Sequence, residues 1–285
     1  MIVDIAIGDA YGAGFEFAPR EKIERFNTLM RFVPHETGIA AGHYTDDTQM
    51  SIAVCEVLLS GGPASSDEFA EAFVRCYRRD PRQGYAKGLQ GLFDQSRDGR
   101  HFRSLIRPGS RRNGAAMRSV PLGLLASVAE IDQVSRSQAV VTHDTPEGIL
   151  SSKVVALMVH YALYQDKAVA ELARLVERDT GFRLRGDWHG EVECDAIQTL
   201  HAVHTALLNN RSTSGLLRDC VNYGGDVDSV AAIAMGVASV SLDYVDDTPD
   251  VLRRGLEAGP YGQPFLLQLD DSLRKRFPRL ASRSR

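Results

Sequence analysis

Residues 44–60 read YTDDTQMSIAVCEVLLS, and the apolar positions Met50, Val54, Val57 and Leu58 fall at i, i+4, i+7 and i+8. That spacing is the stripe of an α-helix with one buried face. Asp46 stands where an N-cap is expected, and Gln49, three residues on, would complete a capping box. A cap uses one side-chain oxygen, so Thr45 and Asp47 are surplus to it. Taken alone, both are accounted for by facing water at the positive end of the helix.

The same period recurs at 67–79, 114–130, 146–165, 167–178, 192–209, 213–221 and 228–242. Ile149, Val154, Val155, Met158 and Ala162 step by about 3.6 residues rather than 2, and the connectors carry Gly, Pro, Asp and Asn. The predicted fold class is all-α. No long repeat recurs, which disfavours a solenoid. No Gly-, Ser- or Pro-rich linker divides the chain, so one domain is expected over residues 1–285. The polar stretch 94–113, DQSRDGRHFRSLIRPGSRRN, reads as a long loop of the kind that lines sites. The C-terminal RKRFPRLASRSR reads as a solvated basic tail from about 274.

Lys and Arg number 33 against 37 Asp and Glu, and the net charge of -4 offers no general attraction to nucleic acid or to an anionic membrane. Cys55, Cys76, Cys194 and Cys220 show no CxxC spacing, which suits buried free thiols in a reducing compartment. The N-terminal MIVDIAIGDAYG carries Asp4 and Asp9 and lacks the basic start of a signal peptide. No stretch reaches the roughly 18 apolar residues of a membrane span. The expected location is the cytoplasm.

Residues 224–230, GGDVDSV, pose the question of the opening stretch again. Val230, Ile233, Ala234 and Val237 mark a helix, Asp226 is placed to cap it, and Asp228 and Ser229 are surplus. A third element, GDAYGAGFEF (8–17), adds Asp9 and Glu16. Gly8 and Gly12, four apart, permit close approach of another helix, and Gly14 is expected to break the helix so that Glu16 sits on a turn. Gathered in one partly dry pocket, these carboxylates would repel one another strongly unless cations neutralised them. An all-oxygen donor set suits Mg²⁺ or Mn²⁺ rather than Zn²⁺, and so many ligands exceed the need of one ion. A two-metal centre follows as the expectation.

GDAYGAGFE (8–16), YTDDTQM (44–50), NGAAMRSVPLG (113–123), VTH (141–143) and GGDVDSVAAIAMG (224–236) stand in this order along the chain. Together they resemble the ADP-ribosylglycohydrolases. The resemblance implies an all-α orthogonal bundle with a binuclear Mg²⁺ or Mn²⁺ site that cleaves ADP-ribose from an acceptor. By it, Thr45, Asp46 and Asp47 correspond to the first ligand group, and Asp226, Asp228 and Ser229 to the second. Glu16 corresponds to the acidic residue of the N-terminal loop. Ser229 stands where the family usually has Thr, and Val227 where it has a small polar residue; neither predicts loss of metal. Arg111 and Arg112 stand where many relatives carry a glycine before the Asn, which would alter the pocket rim and with it the choice of acceptor.

Gly109, Ser110 and Asn113 precede a helix expected to start near Ala115, where free N–H groups can hold a phosphate; the alternative is a loop with an Asn cap. His143, a loop histidine by itself, is raised by the resemblance to a contact of the ADP-ribose diphosphate. His204 shares a face with Ile197, Leu200 and Leu208 and reads as a partly buried histidine rather than half of a metal pair with His201. Trp188 and Arg118 read as structural, and Arg82 and Tyr85 as rim residues.

The function expected is hydrolysis of mono-ADP-ribose from protein arginine, the partners being ADP-ribose and the ADP-ribosylated protein. Serine-linked, polymeric and nucleic-acid-linked ADP-ribose are alternative substrates, so nucleic acid enters only as a modified acceptor. Asp47 or Glu16 would serve as the base for water or the acid for the leaving group. One rival is a catalytically silent ADP-ribose binder, and another a metal-dependent nucleotide phosphohydrolase.

Overall fold

In the computed structural model, which describes residues 1–283, the chain runs through helices joined by short connectors. In order they are α1 (Ile2–Ala13), α2 (Arg20–Phe26), α3 (Asp46–Ser60), α4 (Ser66–Arg79), α5 (Lys87–Gln95), α6 (Gly99–Leu105), α7 (Gly114–Met117) and α8 (Val128–Ala139). There follow α9 (Pro146–Tyr164), α10 (Val169–Thr180), α11 (Ala196–Asn209), α12 (Thr213–Asn222), α13 (Val227–Ala238), α14 (Asp250–Gly255), α15 (Gln263–Arg276) and α16 (Pro278–Ala281). Pairing between extended segments is confined, among the described residues, to isolated bridges such as Val192 with Gly225. The fold is all-α. Among the described residues no helix is long and apolar enough to cross a membrane.

At the centre lie α1 and α13, and every residue of α13 is buried. An added Cβ at Gly8 would stand 2.4 Å from the Ala231 carbonyl oxygen, and one at Gly12 would stand 2.4 Å from the Asp228 Cα. The four-residue glycine spacing thus sets the two backbones in contact, and it brings the C-terminal end of α1 against the first turn of α13. α9, also buried along most of its length, packs on the 3₁₀ turn Val120–Leu124 and on α8.

Several helices, α1, α3 and α10 among them, find acceptors for their first N–H groups on residues distant in sequence. Ile2 and Val3 N–H groups of α1 donate to Asp270 of α15, at 2.9 and 3.3 Å. Val169 N–H of α10 donates to Asp243 at 2.7 Å. The first turn of α3 is held by Asp9 of α1, described below. A helix start leaves N–H groups that need acceptors, and any carboxylate the fold delivers there will serve.

Several expectations need correction. The predicted helix 114–130 is three pieces, α7, the 3₁₀ turn and α8, because Pro121 cannot donate to a helical ladder and Gly123 lets the turn lie on α9. A Cβ at Gly123 would fall 2.3 Å from Val159 Cβ. The polar stretch 94–113 contains α6, capped by Asp98 accepting from His101 N–H at 2.7 Å. In the basic C-terminal stretch, α15 runs on to Arg276, and Arg279 donates to the Leu163 carbonyl at 2.8 Å and to Asp166 at 2.7 Å. Ser284 and Arg285, the end of that stretch, lie outside the described residues.

Candidate active site: a carboxylate cluster at three helix ends

The C-terminal end of α1 and the starts of α3 and α13 meet at one end of a cavity of about 680 Å³. Asp9, fully buried, organises the α3 side. It accepts from Thr45 N–H at 2.9 Å and Thr48 N–H at 2.9 Å, and from the hydroxyls of Thr45 at 2.8 Å and Thr48 at 2.6 Å. Asp46 is therefore not the N-cap. Thr45 holds that position without a side-chain cap bond, and Gln49 makes no capping box. The Gln49 amide instead donates to the Asp80 carbonyl at 2.6 Å and accepts from the Tyr85 hydroxyl at 2.8 Å.

With the cap supplied from α1, Asp46 and Asp47 line the cavity free of that duty. Gly84 presses on Asp46: its φ is +106°, and a Cβ there would lie 2.1 Å from Asp46 Oδ1. Oδ1 of Asp47 is buried with no hydrogen-bond partner. The Ser229 hydroxyl, reaching across from α13, favours the ionised form of Asp47, but burial first and the charges of Asp9, Asp46 and Asp226 next push its pKa well up.

On the α13 side Asp226 stands at the N-cap position but makes no cap bond. Its Oδ2 accepts from Asn113 Nδ2 at 2.9 Å, and the same amide donates to Thr199 Oγ1 at 3.1 Å. Asp228 Oδ1 accepts from Ser229 N–H at 3.0 Å. Glu16, Asp226 and Asp228 present oxygens within 4.8 Å of one another. Burial and then mutual charge push Asp228 and Asp46 well above the carboxylate range. Burial, with Asp226 and Asp9 adding to it, raises Glu16 to about 7.

Glu16 lies on the turn after α1, as the sequence predicts, but Gly14 is not the residue that takes an unusual conformation: its φ is -63°. Gly14 is needed for space, since a Cβ would sit 2.3 Å from the Val33 carbonyl oxygen. The left-handed residue is Phe17, φ +48°, whose N–H donates to the Gly225 carbonyl at 2.8 Å and whose ring is exposed at the cavity rim. His35 faces Glu16 Oε2 through Nε2 at 3.5 Å. The Thr37 backbone N–H donates to His35 Nδ1 at 3.0 Å, so in the neutral ring the proton is on Nε2, toward Glu16.

Ser110, Arg112, Asn113 and His143 line the cavity together with the carboxylates; Thr45 and Gly109 do not. Thr45 is buried beneath the wall, its hydroxyl hydrogen given to Asp9 and its remaining lone pairs free. Gly109 pairs with His143 through an isolated bridge. α7 begins at Gly114 and is four residues long, and Asn113 neither caps it nor offers its amide to the cavity, having given both contacts to Asp226 and Thr199. Arg111 turns outward to Glu147 at 2.7 Å, while Arg112 and Arg107 stay at the cavity as rim cations.

Arg82 and Tyr85 are not rim residues. Arg82 is buried, paired with Asp80 and Glu257 and stacked over Tyr44 at 3.8 Å, and Tyr85 is buried against Gln49. Cys194 departs from the buried-thiol expectation, being half-buried on the cavity wall, while Cys55, Cys76 and Cys220 are buried. His201 and His204 take separate backbone partners at Arg185, and Trp188 packs on the core with its indole N–H on the Gly190 carbonyl at 3.0 Å. Sequence reasoning missed the apolar wall formed by Leu89, Leu92, Leu105 and Ile106, and the contact of Gly84 with Asp46. The period in α5 and α6 was the available signal for the wall; a lone glycine in a loop carries none for the contact.

A sequence model of the ADP-ribosylglycohydrolase family matches residues 5–279. The chain belongs to this family. Among relatives of the family, it is 27% identical over 273 residues to "ADP-ribosylarginine hydrolase Tri1" of Pseudomonas putida (strain GB-1), covering 86% of this chain and 72% of that protein. It is 28% identical over 256 residues to "ADP-ribosyl-[dinitrogen reductase] glycohydrolase" of Rhodospirillum rubrum, covering 86% and 85%. A solved structure titled "ADP-ribosylglycohydrolase-related protein complex" superposes with a TM-score of 0.75 at 25% identity, over 96% of this chain and 95% of that one. The orthogonal bundle expected from the motifs is thus the fold of an ADP-ribosylglycohydrolase.

The donor set suits hard divalent cations: carboxylates and hydroxyls, an orphaned buried oxygen on Asp47, and acids whose pKa values are pushed up by burial and then by one another's charge. A cation would relieve each of these costs at once.

Proposed function

We propose that this ADP-ribosylglycohydrolase hydrolyses the bond between ADP-ribose and a protein side chain, with arginine as the acceptor. The observation that carries the reading is the convergence of Glu16, Asp226 and Asp228 within 4.8 Å, at the acidic end of a cavity of about 680 Å³. Support for arginine comes from the Pseudomonas putida relative, whose name states that linkage.

In this reading Asp46, Asp47, Asp226 and Asp228, with the oxygens of Thr45 and Ser229, hold two Mg²⁺ or Mn²⁺ ions. Such ions supply Lewis acidity to a water and to the ribose hydroxyls. The chain's own residues do the rest. Asn113 orients Asp226, Asp9 holds the first turn of α3, and the carboxylates favour positive charge developing on the ribose as the glycosidic bond breaks. Glu16, raised to about 7, can hold or release a proton near neutral pH, which suits either the base for water or the acid for the leaving group.

The test is incubation with defined arginine-linked, serine-linked, polymeric and nucleic-acid-linked ADP-ribose, following free ADP-ribose with and without chelator. Release from the arginine linkage, lost on chelation and restored by Mg²⁺ or Mn²⁺, is expected. Release of AMP or phosphate would indicate the phosphohydrolase, and ADP-ribose binding without turnover of any linkage would indicate a silent binder.

A further inference from the structure

On the cavity wall, Arg118 is fully buried, and among the described residues no carboxylate pairs with it. Its guanidinium donates to the side-chain and backbone oxygens of Gln138 and, at 2.7 Å, to Thr142 Oγ1, and it lies 4.5 Å from the centre of the Phe73 ring. A buried cation held only by neutral acceptors and an aromatic face costs desolvation that no counter-ion offsets. Such an arrangement leaves positive potential directed at whatever enters the cavity, which Arg118 helps to line.

Thr142 is the link from that charge to His143. Its oxygen stands 2.6 Å from His143 Nδ1. A guanidinium can only donate, so Thr142 Oγ1 accepts from Arg118 and has one hydrogen left to place. Thr142 is buried, and its remaining neighbour within reach is Nδ1. Giving the hydrogen to Nδ1 satisfies both groups, whereas an Nδ1–H tautomer would strand the hydroxyl hydrogen in a buried site. The imidazole therefore carries its own proton on Nε2, which makes no hydrogen bond among the described residues. Gly114 lies against that edge of the ring, where a Cβ would stand 2.8 Å from Cε1 and 3.1 Å from Nε2. Burial, with Arg118 beside it, keeps the ring neutral by lowering its pKa to about 3.

We propose that Thr142 is a positioning residue that fixes His143 as a neutral Nε2–H donor into the cavity, with Arg118 polarising the chain of hydrogen bonds from behind. Resting on the ADP-ribosyl reading above, the anion that His143 meets is the diphosphate of ADP-ribose, the contact the family resemblance already implies; what is added is the Arg118–Thr142 chain that holds the ring as its donor. A neutral donor backed by a fixed charge binds a phosphate oxygen without itself gaining or losing a proton, so its grip does not fade between pH 5 and 8.

The test is ¹⁵N NMR of the histidine rings in the intact protein, with calorimetric titration of ADP-ribose and of inorganic pyrophosphate. Wild type is expected to show His143 as the neutral Nε2–H tautomer throughout pH 5–8, with its Nε2 resonance moved by ADP-ribose. Thr142→Val should weaken ADP-ribose binding about tenfold and let the Nδ1–H tautomer appear, and Thr142→Ser should restore both. A purely structural Thr142 would change melting temperature without changing the tautomer. Should Thr142→Val fail to fold, the wild-type tautomer and the Thr142→Ser titration still decide the matter. An Nδ1–H ring in wild type, a charged ring at pH 7, or unchanged binding by folded Thr142→Val overturns the proposal. If pyrophosphate moves the Nε2 resonance and ADP-ribose does not, the anion unit stands and the ADP-ribosyl reading falls; if neither ligand moves it, the anion unit falls.

Discussion

At the start of α3 the helix N–H groups are satisfied by Asp9 from another helix, whereas at the start of α13 Asp226 occupies the N-cap position and gives its oxygen to Asn113 instead. In the sequence the two starts look alike, each an aspartate pair with a hydroxyl. In the fold the α3 pair is released from capping by a distant carboxylate and packed from outside by Gly84. The α13 pair is oriented by nearby donors, the Asn113 amide and the Ser229 N–H. Surplus polar groups at a helix start thus become available for chemistry by two routes: relief from a structural duty, or orientation by a neighbour.

On this comparison, loss of a carboxylate from the α13 pair is expected to cost activity, and loss of Asp9, which serves the start of α3, is expected to cost stability. The largest expected effect is on activity. Asp228→Asn should lower turnover by about two orders of magnitude or more, the range for loss of a principal electrostatic group, while the protein stays folded. Its carboxyl is already pushed up by burial and by Glu16, so neutralising it relieves repulsion. Near-normal turnover in a folded variant would break the assignment.

Next comes Asp9→Asn. An amide offers one acceptor oxygen where the carboxylate satisfies donors from Thr45 and Thr48 on both, so stability should fall by about 2 kcal/mol in urea unfolding. Asp226→Asn, at a start without a cap bond, should cost clearly less. Equal losses would show that the two starts are capped alike after all.

The smallest effect is a pH dependence. Glu16 holds its proton more tightly folded than unfolded, so its contribution is present below the ordinary value of 4.5 and is lost as pH rises through about 7. Buried histidines such as His143 run the other way, favouring the folded state as pH climbs toward 6.5. The difference in melting temperature between metal-free wild type and Glu16→Gln isolates the carboxyl. Wild type should lose ground to the variant between pH 5 and 8, and added Mg²⁺ should reverse that loss. A difference that is flat with pH would place Glu16 outside the cluster.

Much of this was legible locally. The stripe from Met50 to Leu58 lies within α3, the 146–165 period within α9, and Gly8 with Gly12 set α1 against α13 as their spacing requires. The helix over 114–130 was misread because an apolar period survives a break: Val120, Leu122 and Leu124 are buried although Pro121 ends the ladder. Arg82 was misread for a different reason. A charged residue after Asp80-Pro81 is exposed by default, and only the arrival of Glu257 and Tyr44 makes it a buried one.

The sequence by itself determined long helices such as α3, α4, α9, α11 and α13 and the residue types of the site, because hydrophobic period, Pro, Gly and clustered Asp act over a few residues along the chain. Only the tertiary structure decided which oxygen serves which donor. Asp9 reaches Thr45 and Thr48 across 36 and 39 residues, and Asn113 reaches Asp226 across 113. A hydrogen bond is specified by distance in space, and a carboxylate carries no mark in the sequence of the donor it will meet.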